Sequence, residues 1–237
     1  MNDADAYDWV PSPNFNARRR PVSMIVLHYT GMQDGGEALA RLTSPDSGVS
    51  CHYFIDESGH VVQLVHEDLR AWHAGAGRWR GRDDVNSASI GIELQNPGHE
   101  WGYRDFTAAQ LEALIPLVAA IRRRHFIDRA DVIGHSDLAP TRKEDPGERF
   151  DWQLLARYGQ ALCRPERLLT DPLWSDGAFG LALERFGYDI ADLRAATIAF
   201  QRRFRQANID GVIDGETRAL LFTLQVLEEA RHQRREG

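Results

Sequence analysis

Five side chains in this sequence have the types needed for metal-assisted hydrolysis: His28, Glu93, His135, Lys143 and Asp145. They fall in three polar islands, Leu27-His28-Tyr29-Thr30, Gly91-Ile92-Glu93-Leu94 and the block from Gly134 to Gly147, each set into or directly after an apolar run. Two histidines and a carboxylate form a His, His, Asp set of the kind that holds a catalytic zinc ion and leaves one position open for water. A separate glutamate supplies a general base. A lysine supplies positive charge for an oxygen that becomes anionic during reaction. Together these parts can hydrolyse an amide. Taken singly, each has a plainer reading. A lone histidine is usually a satisfied core or loop residue, an aspartate before proline is a turn former, and a lone lysine is a solvated surface group. The joint context favours chemistry, because both histidines directly follow β-branched runs, and strand ends are where sites gather.

The elements that must position these residues follow from periodicity. Residues 22–27 are a short β-branched apolar run that predicts a buried strand delivering His28 at its C-terminal end. Residues 89–94 predict another, closed by Asn96-Pro97-Gly98. Alternation along it puts Ser89, Gly91 and Glu93 on one face and Ile90, Ile92 and Leu94 on the other. Residues 131–134 form a brief strand that leads into His135. Residues 52–56 and 60–65, joined by Glu57-Ser58-Gly59, fit a hairpin. Residues 37–42 form a short helix and 152–158 a closing one. Thr107 caps the clearest helix, 108–124, with Leu111, Leu114, Ile115, Val118 and Ile121 at helical spacing.

Residues 1–20 lack periodicity and read as an extended arm. Residues 21–164 then form an α/β catalytic domain, a mixed central β-sheet flanked by helices. Beyond Cys163 the pattern is wholly helical, with amphipathic segments at 179–186, 192–205 and 215–229, and Phe200 and Phe204 share a face. Residues 165–237 are therefore expected to be a small three-helix unit resting on its neighbour.

The 237 residues carry a formal charge of −7 and a pI near 5.7, so no overall cationic field draws nucleic acid or an anionic membrane. The arginines at 122–124 and 202–205 read as solvated helix faces rather than a nucleic-acid surface. Cys51 and Cys163 are too few and too far apart for a disulfide framework and read as reduced, buried small hydrophobes. No stretch approaches the ~20 apolar residues of a membrane span. The acidic start lacks the basic and apolar regions of a secretory signal, so a cytoplasmic location is expected, or a periplasmic one if a leader precedes the sequence.

At this point the islands become familiar. Leu27-His28-Tyr29-Thr30, Val49-Ser50-Cys51-His52-Tyr53, Ala71-Trp72-His73-Ala74-Gly75, Ile90-Gly91-Ile92-Glu93 and the block from Gly134-His135-Ser136-Asp137 through Arg142-Lys143-Glu144-Asp145-Pro146-Gly147 resemble the type-2 N-acetylmuramoyl-L-alanine amidases. The resemblance runs from about Ser12 to Tyr158. It implies one Zn2+ held by His28, His135 and Asp145, with Glu93 as base and Lys143 as oxyanion stabiliser. It places His52 and His73 along the cleft, with Trp72, Trp79, Asn86 and Asn96 as candidate substrate contacts. The implied reaction is cleavage of the amide between the lactyl group of N-acetylmuramic acid and L-alanine, in peptidoglycan or in a muropeptide, including the anhydro form. The C-terminal unit resembles a three-helix peptidoglycan-binding module through residues 199–204 and 210–217. The competing class is a muropeptide or peptidoglycan recognition protein without catalysis, usually marked by loss of a zinc ligand. All five positions are present here.

Overall fold

The computed structural model describes residues 7–236. In chain order its main elements are β1 (Asp8–Trp9), β2 (Phe15–Ala17), β3 (Met24–Tyr29), α1 (Gly35–Thr43), β4 (Tyr53–Ile55), β5 (Val61–Gln63), β6 (Leu69–Ala71) and α2 (Val85–Ala88). Then come β7 (Ser89–Leu94), α3 (Ala108–His125), β8 (Val132–Gly134), α4 (His135–Leu138), α5 (Trp152–Arg157), α6 (Asp176–Phe186), α7 (Leu193–Phe204) and α8 (Gly215–Glu236). Six strands form one mixed sheet in the order β1-β5-β4-β7-β3-β8. Within it β4 and β5 are the antiparallel hairpin, whereas β7, β3 and β8 run parallel to one another. A separate ribbon pairs β2 with β6.

The central strand β3 is apolar on both sides over Met24–Leu27 because both sides are covered, as parallel strands require. Along β3 the pleat sends Ile25 and Leu27 into a core shared with the buried stripe Leu111, Leu114, Leu117, Val118 and Ile121 of α3. It sends Met24 and Val26 the other way, into a core built with Phe179, Phe200, Phe204 and Leu220 of the C-terminal helices. The helix α3 starts where its capping box predicts: Thr107 Oγ1 accepts from the Gln110 N–H at 3.1 Å, and Gln110 Oε1 accepts from the Thr107 N–H at 3.0 Å.

Over residues 7–20 the arm is extended and anchored. Its strand β1 pairs with β5, Asn14 Nδ2 donates to the carbonyls of Ser44 and Val49, both at 2.8 Å, and Arg18 donates to the carbonyls of Glu67, Asn86, Ser87 and Ser89. Polar anchoring of this kind has no hydrophobic period to announce it. Two expectations, on the arginines of α7 and on Cys163, need correction. Arg202, Arg203 and Arg205 are buried rather than solvated, because Glu144, Asp137, Asp214 and Glu216 on neighbouring segments neutralise them. Cys163 is only partly buried, with its Sγ 3.1 Å from Gln153 Oε1, while Cys51 is buried; both are free thiols. The C-terminal helices share one continuous core with the sheet. Among the described residues no helix is long and apolar enough to cross a membrane.

Candidate active site

The register of the parallel strands assembles the site. His28 of β3 lies beside Glu93 of β7, and Leu27 lies beside Gly134, the last residue of β8 before His135. Three chemical groups therefore emerge together at the carboxyl ends of adjacent strands, where open α/β sheets place their ligands. The Asp145 segment closes over this edge: the Ser136 N–H donates to the Asp145 carbonyl at 2.9 Å. Gly134 permits that approach, since a Cβ there would sit 2.7 Å from Pro146 Cδ.

His28, His135 and Asp145 are all buried, and their ligand atoms converge. The Nδ1 atoms of the two histidines are 3.0 Å apart, and Asp145 Oδ2 is 2.9 Å from one and 3.1 Å from the other. The far side of each ring decides what those atoms carry. His135 Nε2 is 2.9 Å from the Ala74 carbonyl oxygen, which can only accept, so Nε2 carries a proton and Nδ1 is the nitrogen that can offer a lone pair to the shared spot.

For His28 the proton is placed by two further residues, His73 and Ser89. Ser89 donates its only hydroxyl proton to the Val85 carbonyl at 2.5 Å, so its Oγ must accept from His73 Nε2 at 3.1 Å. Burial, reinforced by His28, pushes His73 well below the usual imidazole range and keeps it neutral. Its Nδ1 is then an acceptor for the His28 Nε2–H at 3.0 Å, which leaves His28 Nδ1 unprotonated as well. Gly91 makes room for this link, since a Cβ there would lie 2.4 Å from the His73 ring.

Two imidazole nitrogens and a carboxylate oxygen thus point at one spot, and a cation there would satisfy all three. Three atoms bound tetrahedrally at zinc–nitrogen and zinc–oxygen distances lie about 3.3 Å apart, close to the spacing seen. The donor set and outer partners fit a metal ion. The local electrostatics agree. Burial, followed by repulsion from His135, pushes His28 down to about 4. Burial alone would raise the Asp145 carboxyl, but the field and hydrogen bonds of His135 and His28 outweigh it and hold Asp145 well below the carboxylate range.

Glu93 and Lys143 line the same cavity, of about 690 Å³, as His28, His135 and Asp145. Glu93 Oε2 is buried without a hydrogen-bond partner. Burial, with Asp145 adding to it and Lys143 opposing, pushes the Glu93 carboxyl well above its usual range. A carboxyl in that state takes up a proton readily and can pass it on.

The remaining expected residues divide. His73 reaches the cavity. His52 does not: it is fully buried under the sheet, its Nδ1 accepting from the Gly91 N–H at 2.9 Å. Trp79 is buried against Tyr188 and donates from Nε1 to Asp131 at 3.0 Å, so it belongs to the core. Trp72 lies off the cavity and donates to Asn16 Oδ1. Asn86 accepts from the N–H groups of His73 and Ala74, and Asn96 holds its own loop through the Arg104 carbonyl and the Gly98 N–H. Trp79, Asn86 and Asn96 thus turn polar groups to core or backbone partners, and Trp72 turns its indole N–H to the Asn16 side chain. Sequence reasoning missed Ser89 as a partner of His73, although its placement on the Glu93 face was a signal. It also missed Trp101 and Arg142 on the cavity wall.

Comparison with known proteins agrees with this geometry. The profile of the N-acetylmuramoyl-L-alanine amidase family matches residues 18–148. The chain is 35% identical over 230 residues to the N-acetylmuramoyl-L-alanine amidase AmiD of Escherichia coli K12, covering 86% of this chain and 82% of that one. A solved E. coli AmiD complex with anhydro-N-acetylmuramic acid-L-Ala-D-γ-Glu-L-Lys superposes with a TM-score of 0.78 at 34% identity, covering 86% and 88% of the two chains. AmpDh3 of Pseudomonas aeruginosa, in complex with anhydromuramic pentapeptide, also gives 0.78 at 30% identity, covering 94% of this chain and 96% of that one. With the matched segment holding the convergent His28, His135 and Asp145 together with Glu93 and Lys143, the chain belongs to the N-acetylmuramoyl-L-alanine amidase family.

Proposed function

We propose that this chain is a zinc-dependent amidase that hydrolyses the bond between N-acetylmuramic acid, or its anhydro form, and L-alanine of a peptidoglycan stem peptide. The observation that carries this reading is the convergence of two imidazole lone pairs and the Asp145 carboxylate in the cavity that holds Glu93 and Lys143. His28, His135 and Asp145 would hold the ion. When bound, zinc supplies Lewis acidity that activates water and polarises a carbonyl.

The other steps belong to the chain itself. Glu93 takes a proton from the attacking water on a carboxylate oxygen and returns it to the departing alanine nitrogen, which leaves as a neutral amine. Lys143 sets its ammonium toward the carbonyl oxygen as negative charge builds there. The buried walls around Glu93 keep these charges in a low dielectric, where they act more strongly than in water. The anhydro form is supported by the anhydromuramyl ligands of the two superposed relatives.

The test is incubation of the zinc-loaded full chain with anhydro-N-acetylmuramyl tripeptide and, in parallel, with intact sacculi. The reading predicts release of free stem peptide with an L-alanine N-terminus. Binding of the muropeptide without cleavage by a chain that carries zinc would instead favour a recognition protein.

A further inference from the structure

The C-terminal helices reach the metal centre through one buried carboxylate. Asp137, in the short helix α4 that begins with His135, accepts the Gly134 N–H on Oδ2 at 2.8 Å and so folds the chain back at the turn between β8 and His135. The other partners of this carboxylate come from the C-terminal helices. Arg203 of α7 donates from Nη1 to Oδ2 at 2.8 Å, and Tyr188, in the loop between α6 and α7, donates its hydroxyl to Oδ1 at 2.5 Å. The Asp137 and Arg203 side chains are 1% and 3% exposed, so the pair is shielded from solvent screening.

Arg203 holds more than Asp137. Its Nη2 donates to the Val132 carbonyl of β8 at 2.9 Å, and its guanidinium lies 4.3 Å from the ring centre of Trp152. The adjacent Arg202 donates to Glu144 at 3.2 Å, next to both Lys143 and Asp145. Helix α7 thus grips the strand before one ligand, the turn carrying it, and the segment carrying another.

We infer that α7 and the loop before it set the affinity of the metal site, with Asp137, Arg203 and Tyr188 as positioning residues that fix the direction of His135. The inference rests on the proposed metal role of His28, His135 and Asp145. It gives the helical unit a function within the active-site scaffold, because ligand direction is held by outer partners as much as by the ligands themselves.

The experiment compares zinc dissociation constants of full-length variants by competition with a chromogenic chelator, alongside thermal unfolding of the metal-free proteins. Tyr188→Phe removes one hydroxyl and keeps the ion pair. The double variant Arg203→Met/Asp137→Asn removes the pair without leaving a buried unpaired charge. Arg231→Met is the control: it breaks a clamp between α8 and Asp128 that is remote from the site.

The inference predicts zinc binding weakened about 3- to 10-fold by Tyr188→Phe and about 10- to 100-fold by the double variant, with Arg231→Met unchanged even where its melting temperature falls. Steady-state kinetics should show the loss in kcat rather than KM. Affinities within twofold of wild type for both site variants would overturn it, as would losses that simply track melting temperature across all three. Failure of the wild-type chain to bind zinc at all would overturn the proposed function first, and is read from the same titration.

Discussion

His28 Nε2 lies 3.0 Å from His73 Nδ1, so the histidine proposed as a metal ligand is oriented by a second histidine rather than by a carboxylate or a backbone carbonyl. The proton that fixes this pair is set one step further away, by Ser89 and its bond to the Val85 carbonyl. Ser89→Ala should free the His73 tautomer and weaken metal binding by about 10-fold, the low end of outer-partner effects. Zinc competition checks this, and the imidazole nitrogen shifts of His73 in NMR should report the altered tautomer.

Glu93→Gln keeps the size of the side chain but removes its ability to take a proton. The variant should bind zinc as wild type does while kcat falls by about 100- to 10,000-fold, the range for a positioned general base. Turnover near wild type would remove Glu93 from the role of base.

Gly91 is a site where one methyl group should have a large effect, since its Cβ would fall 2.4 Å from the His73 ring. Gly91→Ala should displace His73 and lower stability by about 1–3 kcal/mol, the usual cost of overpacking. Metal-free urea denaturation measures the stability, and zinc affinity should fall in the same variant.

Acid sensitivity should come in part from Glu67. Burial alone would raise this carboxyl, but His125, Arg124 and Tyr53 bond to it and together hold it down to about 2. The folded pKa is below the unfolded one, so the stabilisation is present above the ordinary glutamate pKa and is lost as pH falls from about 4.5 towards 2. Its size is on the order of 3 kcal/mol at neutral pH. The stability gap between wild type and Glu67→Gln, measured by metal-free urea denaturation, should be widest near pH 7 and shrink towards pH 2.5.

What the sequence revealed follows from the range of its signals. The buried strands β3 and β7 and the helix α3 were legible because burial writes a period into neighbouring residues. His28, Glu93 and His135 were legible as strand-end groups, although their adjacency depends on register, which no local pattern encodes. Asp137 and Arg203 are far apart in the chain, so the arginines of α7 looked like a solvated face until their partners were placed. Trp79 looked like a cleft residue beside Trp72 and His73, yet the Tyr188 ring it packs on comes from the C-terminal half. The arm held by Ser12, Asn14 and Arg18 was invisible for the opposite reason: its order comes from single polar bonds to distant carbonyls.

The central claim is that His28, His135 and Asp145 form one metal site, and zinc titration of the metal-free full chain and of Asp145→Ala tests it most directly. The account predicts one tightly bound zinc per wild-type chain and a loss of at least 100-fold in affinity in Asp145→Ala, the least expected when a ligand rather than an outer partner is removed. Undiminished zinc binding by Asp145→Ala, or none by the wild type, would contradict it.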